Sequence, residues 1–119
     1  MYSRQVLEHF QNTRNVGDLE NADAYVRVDN PGCGDVLQLA LKVQQGRITA
    51  AKFRARGCVC AIACASQLTE MIRDQELPVV RAIGREDLER ALGGLPPASR
   101  HAATLAIDAL TAALKQIEQ

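Results

Sequence analysis

At 119 residues, 47% hydrophobic and 24% charged, the chain has the size and composition of one globular domain with a modest core and no need of staples. Lys+Arg and Asp+Glu stand at 14 each, so the formal net charge is zero, and there is no basic excess with which to bind nucleic acid or an anionic membrane. No apolar run is long enough for a signal peptide or a membrane span, so a cytoplasmic protein is expected, in which clustered cysteines read as metal or redox sites before disulfides.

The first segment, Ser3 to Gln11, reads as a short helix with Ser3 as N-cap and Val6, Leu7 and Phe10 on one face. His9 on this helix is expected at the surface or in packing. Asn12 to Ala22 is polar and reads as a loop. Three strand-like stretches follow, Ala24–Asp29, Val36–Val43 and Ile48–Ala55, with Gln44-Gln45-Gly46 as a compact hairpin turn. Their short connections predict an antiparallel meander. After Gly57 the period becomes helical: Ala61 to Arg73, a new segment from Pro78, then Arg85–Leu92 closed by Gly93-Gly94. A last helix runs from an N-cap at Ser99 to about Gln116, with an apolar stripe of Ala102, Ala106, Ala109, Leu110, Ala113 and Ile117. Strands followed by helices predict one α+β domain over 1–119, with helices on one sheet face. Only Tyr2, Phe10, Tyr25 and Phe53 are aromatic, so the core must be aliphatic.

The chemistry concentrates in two places. Asn30-Pro31-Gly32-Cys33-Gly34-Asp35 sets a thiol between two glycines and a carboxylate two residues on, a loop composition that exposes a cysteine. Cys58, Cys60 and Cys64 follow Gly57. In a meander the start of the second strand and the end of the third lie at the same end, so Cys33, Asp35 and Cys58 can converge by topology. His101, in the first turn of the last helix, can approach that end. Thiolate and imidazole suit zinc, iron or an iron–sulfur cluster, and a carboxylate is a more exchangeable ligand. Against these stand bland readings: Asp35 as a turn residue, His101 as an exposed helix-start histidine, Cys64 as a packed core thiol, and Cys60 divided between ligand and core.

With these residues in view, the chain resembles the IscU/NifU-type iron–sulfur cluster assembly scaffold proteins over nearly its whole length. The resemblance rests on Tyr2-Ser3, Val6 and His9, Arg14-Asn15-Val16-Gly17, Cys33-Gly34-Asp35, Gly57-Cys58 with Ala61-Ile62-Ala63, Leu68-Thr69-Glu70, and Leu95-Pro96-Pro97 ahead of His101. It implies a three-stranded antiparallel sheet with helices on one face, an IscU/SufE-like α+β fold. It also implies a site for a transient [2Fe–2S] cluster or iron at Cys33, Asp35, Cys58 and His101, sulfur supplied by a cysteine desulfurase, and recipient apoproteins. The family's third cysteine directly follows the histidine, where this chain has Ala102. Its Leu-Pro-Pro-Val-Lys chaperone segment reads Leu95-Pro96-Pro97-Ala98-Ser99 here, so the resemblance does not extend to chaperone docking.

The expectation is therefore a non-enzymatic scaffold or carrier, with Cys60, two residues beyond Cys58, supplying the missing thiolate. Two rivals stay open: a Zn²⁺-bound sulfur-acceptor protein working with a desulfurase, and an interaction module that kept the fold and lost the site.

Overall fold

In the computed structural model, which describes residues 1–30, 32 and 34–118, alternating residues of three strands form one antiparallel sheet in the order β1-β2-β3. The strands are β1 (Ala24–Asn30), β2 (Asp35–Gln44) and β3 (Arg47–Arg56). Gln45 and Gly46 both take positive φ, 53° and 75°, the conformation of the two-residue turn whose twist suits a hairpin. The inward residues Val26, Leu37, Leu39, Leu41, Ala51 and Phe53 are buried. Helices cover that face. The sequence-level expectation of an α+β meander holds, with strand ends moved by at most one residue.

The helices are α1 (Arg4–Gln11), α2 (Val59–Ile72), α3 (Leu77–Arg81), α4 (Arg85–Ala91) and α5 (His101–Glu118). Helix α5 packs across β1 and β2, while α2 lies against β3, α1 and α5. The alanine stripe of α5 is why it can lie so close: Ala102, Ala106, Ala109, Leu110 and Ala113 are all buried, and Ile117 is partly so. Helix α2 is covered on most sides and carries Leu68, Ile72, Cys60 and Cys64 at 0% exposure. Among the described residues no helix is long and apolar enough to cross a membrane.

Several local expectations need correction. Helix α2 begins at Val59, two residues before the expected Ala61, because the Cys58 sulfur itself caps it, accepting from the Ala61 N–H at 3.3 Å. Cysteine is outside the usual N-cap set, so the sequence rules start the helix late. Pro78 sits inside α3 as the second helical residue, where its missing N–H costs nothing. Ser99 is not the cap of α5. Pro97–Ser99 form a 3-10 turn, and α5 begins two residues later at His101. The loop before β1 is tied down as well: Val16 bridges the edge of β3 at Phe53, with Gly17 N donating to Phe53 O and Phe53 N to Asn15 O, each 2.9 Å.

The first helix turns a different face inward from the one expected. Ser3 caps it, accepting from Val6 N at 3.0 Å, but only Val6 and His9 are buried, while Leu7 and Phe10 are exposed. His9 is thereby a buried polar residue. Its Nδ1 lies 2.7 Å from Ser66 Oγ, which also accepts from Arg14 N at 3.0 Å. Arg14 Nη1, which can only donate, also lies 3.4 Å from Nδ1, so Nδ1 is the acceptor and the hydroxyl donates to it, a pairing that suits neutral imidazole. Burial first, and the Arg14 guanidinium second, hold the His9 pKa below its ordinary value, opposed by a Gln67 hydrogen bond and the charges of Glu70 and Glu8.

The sign follows directly. In the window between the ordinary histidine pKa near 6.5 and the lower folded value, the unfolded chain binds more protons. This contribution to stability is fully present above that window and is lost as pH falls through it. Thermal unfolding midpoints should accordingly drop between about pH 7 and pH 5. His9→Asn, which keeps an acceptor for Ser66, should show a shallower decline; a parallel decline would overturn the assignment.

Candidate metal centre

The period-two alternation of β2 decides where Asp35 points. Asp35 shares its inward face with Leu37, Leu39 and Leu41, so a carboxylate stands at 3% exposure under the helices. The register pairs Asn30 with Asp35 and Val36 with Arg56, which sets the end of β3 beside the start of β2. Gly57 and Cys58 follow at once, and there α2 begins. The first residue of α5, His101, reaches the same end of the sheet. Strand β2, helix α2 and helix α5 thus each deliver one donor.

The Cys58 N–H donates to Asp35 Oδ1 at 3.2 Å, and the Cys58 thiol to Oδ2 at 3.6 Å. His101 Nε2 lies 3.3 Å from the same Oδ2. One ligand atom from each of Asp35, Cys58 and His101 falls within 4.8 Å of the others, a spacing that one metal ion could bridge. His101 has a side-chain exposure of 34%, so the group opens to solvent on that side. Burial, the main cause, pushes the Cys58 thiol above its ordinary pKa; the Asp35 charge adds to this and the Ala61 N–H opposes it. Without a cation the site holds a protonated thiol, and a metal would displace that proton.

Gly57 has a part in the site beyond marking the junction ahead of Cys58. A Cβ on Gly57 would stand 2.2 Å from Asp35 Oδ1 and 2.7 Å from Cγ, and its φ is +154°. The carboxylate occupies the space a side chain would fill. The available signal was the glycine directly before the cysteine, which the sequence reading took as a junction.

Other expected site residues fall elsewhere. Cys33 lies outside the described residues. Cys60 is fully buried, its thiol pushed up by burial while the Ser99 hydrogen bond works against that, and it does not join the three converging donors. Cys64 is a core thiol at 0% exposure, its pKa far above the ordinary value through burial. Ala102, which follows His101, is 1% exposed and packs into the core.

Comparison with known proteins places this geometry in a family. The model of the NifU-like N terminal domain matches residues 1–119. The iron-sulfur cluster assembly scaffold protein IscU 1 of Archaeoglobus fulgidus is 45% identical over 114 residues, covering 96% of this chain and 74% of that protein. The IscU scaffold protein of Escherichia coli K12 is 41% identical over 117 residues, covering 95% of this chain and 91% of that one. Among solved structures, an N-terminal NifU-like protein from Brucella abortus superposes with a TM-score of 0.79 at 25% identity, covering 98% of this chain and 93% of that one. A putative SUF-system scaffold from Fervidobacterium islandicum reaches 0.80 at 19% identity, over 95% and 96% of the two chains, and speaks for the fold alone. With a family model spanning its full length and relatives above 40% identity, this chain belongs to the NifU-like N-terminal domain family, the IscU-type scaffolds among its relatives.

Proposed function

We propose that this chain is a scaffold or carrier for iron–sulfur cluster assembly, which takes up iron and sulfide, holds a [2Fe–2S] cluster as cargo and passes it to apoproteins. The observation that carries the reading is the convergence of Asp35, Cys58 and His101 from three separate elements. Cys58 serves as a thiolate ligand, and Cys33, two residues from Asp35 in sequence, as the second. Asp35 supplies a hard oxygen that keeps the cargo exchangeable, and His101 an accessory nitrogen. A cysteine desulfurase is the sulfur donor in this reading, and the chain itself turns over nothing.

The donor set favours one rival. Two sulfurs, a nitrogen and an oxygen satisfy tetrahedral Zn²⁺, and Ala102 withholds the third thiolate that a cluster would take. The test is the visible absorption of the purified chain after anaerobic incubation with ferrous iron and sulfide. We expect sulfide-to-iron charge-transfer bands that vanish in Cys33→Ser and Cys58→Ser and decay faster in His101→Ala. A featureless spectrum with tightly held zinc would overturn the scaffold reading in favour of a zinc-bound sulfur acceptor. Cys60→Ser decides the role of that buried thiol: bands as weak as those of Cys58→Ser would make it the third sulfur, and bands of wild-type strength would leave it in the core.

A further inference from the structure

The sheet face turned away from the helices carries charge that a neutral chain gives no reason to expect. Strand alternation puts Tyr25, Arg27 and Asp29 of β1, Gln38, Ala40 and Lys42 of β2, and Lys52, Arg54 and Arg56 of β3 on this outer side. The register sets Arg27, Gln38 and Arg54 in one row across the sheet, with Val36 and Arg56 beside them toward the metal centre. Val36, Gln38 and Ala40 of the middle strand are neutral along this stretch, with Lys42 beyond them, while Arg27 stands on β1 and Lys52, Arg54 and Arg56 on β3. The result is a trough. Two adjoining cavities of about 290 and 420 Å³ occupy it and share Gln38 and Arg54.

Five cations face this side against two acids. Arg27 pairs with Asp29 at 3.2 Å, and Arg54 grips Asp18 through two hydrogen bonds of 2.9 and 3.2 Å. Among the described residues Lys52 and Arg56 make no ion pair. Because the chain is neutral overall, this charge is local, and its partner must answer it locally. Carboxylates spaced along an extended segment match a short row of cations interrupted by Asp18 and Asp29; a polyphosphate, with its denser charge, would meet those acids as repulsion. Arg56 directly precedes Gly57-Cys58, so the trough reaches the end of the sheet at which the metal centre lies, on the face opposite the Asp35 carboxylate.

We infer that the outer sheet face is a docking surface for an acidic segment of a partner protein, held by Lys52, Arg54 and Arg56 with Tyr25 as its apolar wall. It binds the partner next to the site proposed above, and the association itself needs no metal.

The test uses the full chain without iron or sulfide and a fluorescent ten-residue peptide alternating Glu and Ala. Anisotropy should report saturable binding that weakens as salt rises. The double variant Lys52→Glu/Arg56→Glu should lose at least tenfold in affinity, while Lys115→Glu on α5 should match wild type, with circular dichroism showing all three chains folded. Equal affinity in the double variant, or no binding by wild type, would overturn the surface. A single-stranded oligonucleotide of equal charge that displaces the peptide more strongly than unlabelled peptide would overturn it in favour of polyanion binding. The assay contains no metal, so a chain that binds the peptide but assembles no cluster would sink the scaffold reading alone.

Discussion

Gly57→Ala should dismantle the candidate metal centre while leaving the fold standing. The new methyl would sit 2.2 Å from Asp35 Oδ1 and 3.1 Å from Asp35 Cβ, far inside contact distance. Asp35 cannot retreat with its backbone, because it is paired to Asn30 in the strand ladder. Its carboxylate must therefore swing away, and the links to Cys58 N and to His101 go with it. With the carboxylate turned out of the site a metal loses one of three converging ligands, so metal or cluster occupancy should fall about tenfold or more. Strain at φ +154° adds to the cost for any L-residue. The comparison variant is Asp35→Ala, which removes the carboxylate without the clash. Both should show the same loss when bound iron is measured after anaerobic loading, with secondary structure retained. Wild-type occupancy in Gly57→Ala would show that the carboxylate is not needed where the structure puts it.

The second large effect concerns stability. Leu68→Ala should cost about 3 kcal/mol, within the range for emptying a fully buried leucine site. Leu68 is 0% exposed on α2, the helix covered on most sides by α1, α5 and β3. Domains of this size hold only about 5–15 kcal/mol in all, so the midpoint should fall by roughly 10 °C. Cys58 caps helix α2, so loosening of the helix should also speed the loss of iron loaded at the candidate site. Calorimetry gives the first effect; a shift under about 2 °C would mean that the neighbouring alanines collapse into the space.

His9 and Cys60 show how tertiary context reassigns residues whose sequence signal is ambiguous. His9 lies in a short helix where either face could turn inward, and only the docking of α1 on α2, with Ser66 waiting, selects it over Phe10. Cys60 stands next to a helix N-terminus in sequence, but the early start of α2 at Val59 turns its side chain into the core.

By itself the sequence determined the α+β meander, the close-packed alanine face of α5 and the family, because alternation, turn residues and motif spacing are local properties. It also marked Asp35, Cys58 and His101, through a carboxylate two residues after a glycine-flanked cysteine, a cysteine at a strand–helix junction and a histidine at the start of the last helix. The meander topology allowed these residues to converge, but only the tertiary structure decided how near their side chains come, that a cysteine caps α2, and that Gly57 must lack a side chain to leave room for Asp35. The contacts of Asp35 with Cys58 and His101 span 23 and 66 positions of the chain, and such distances are set by packing, which no local pattern encodes.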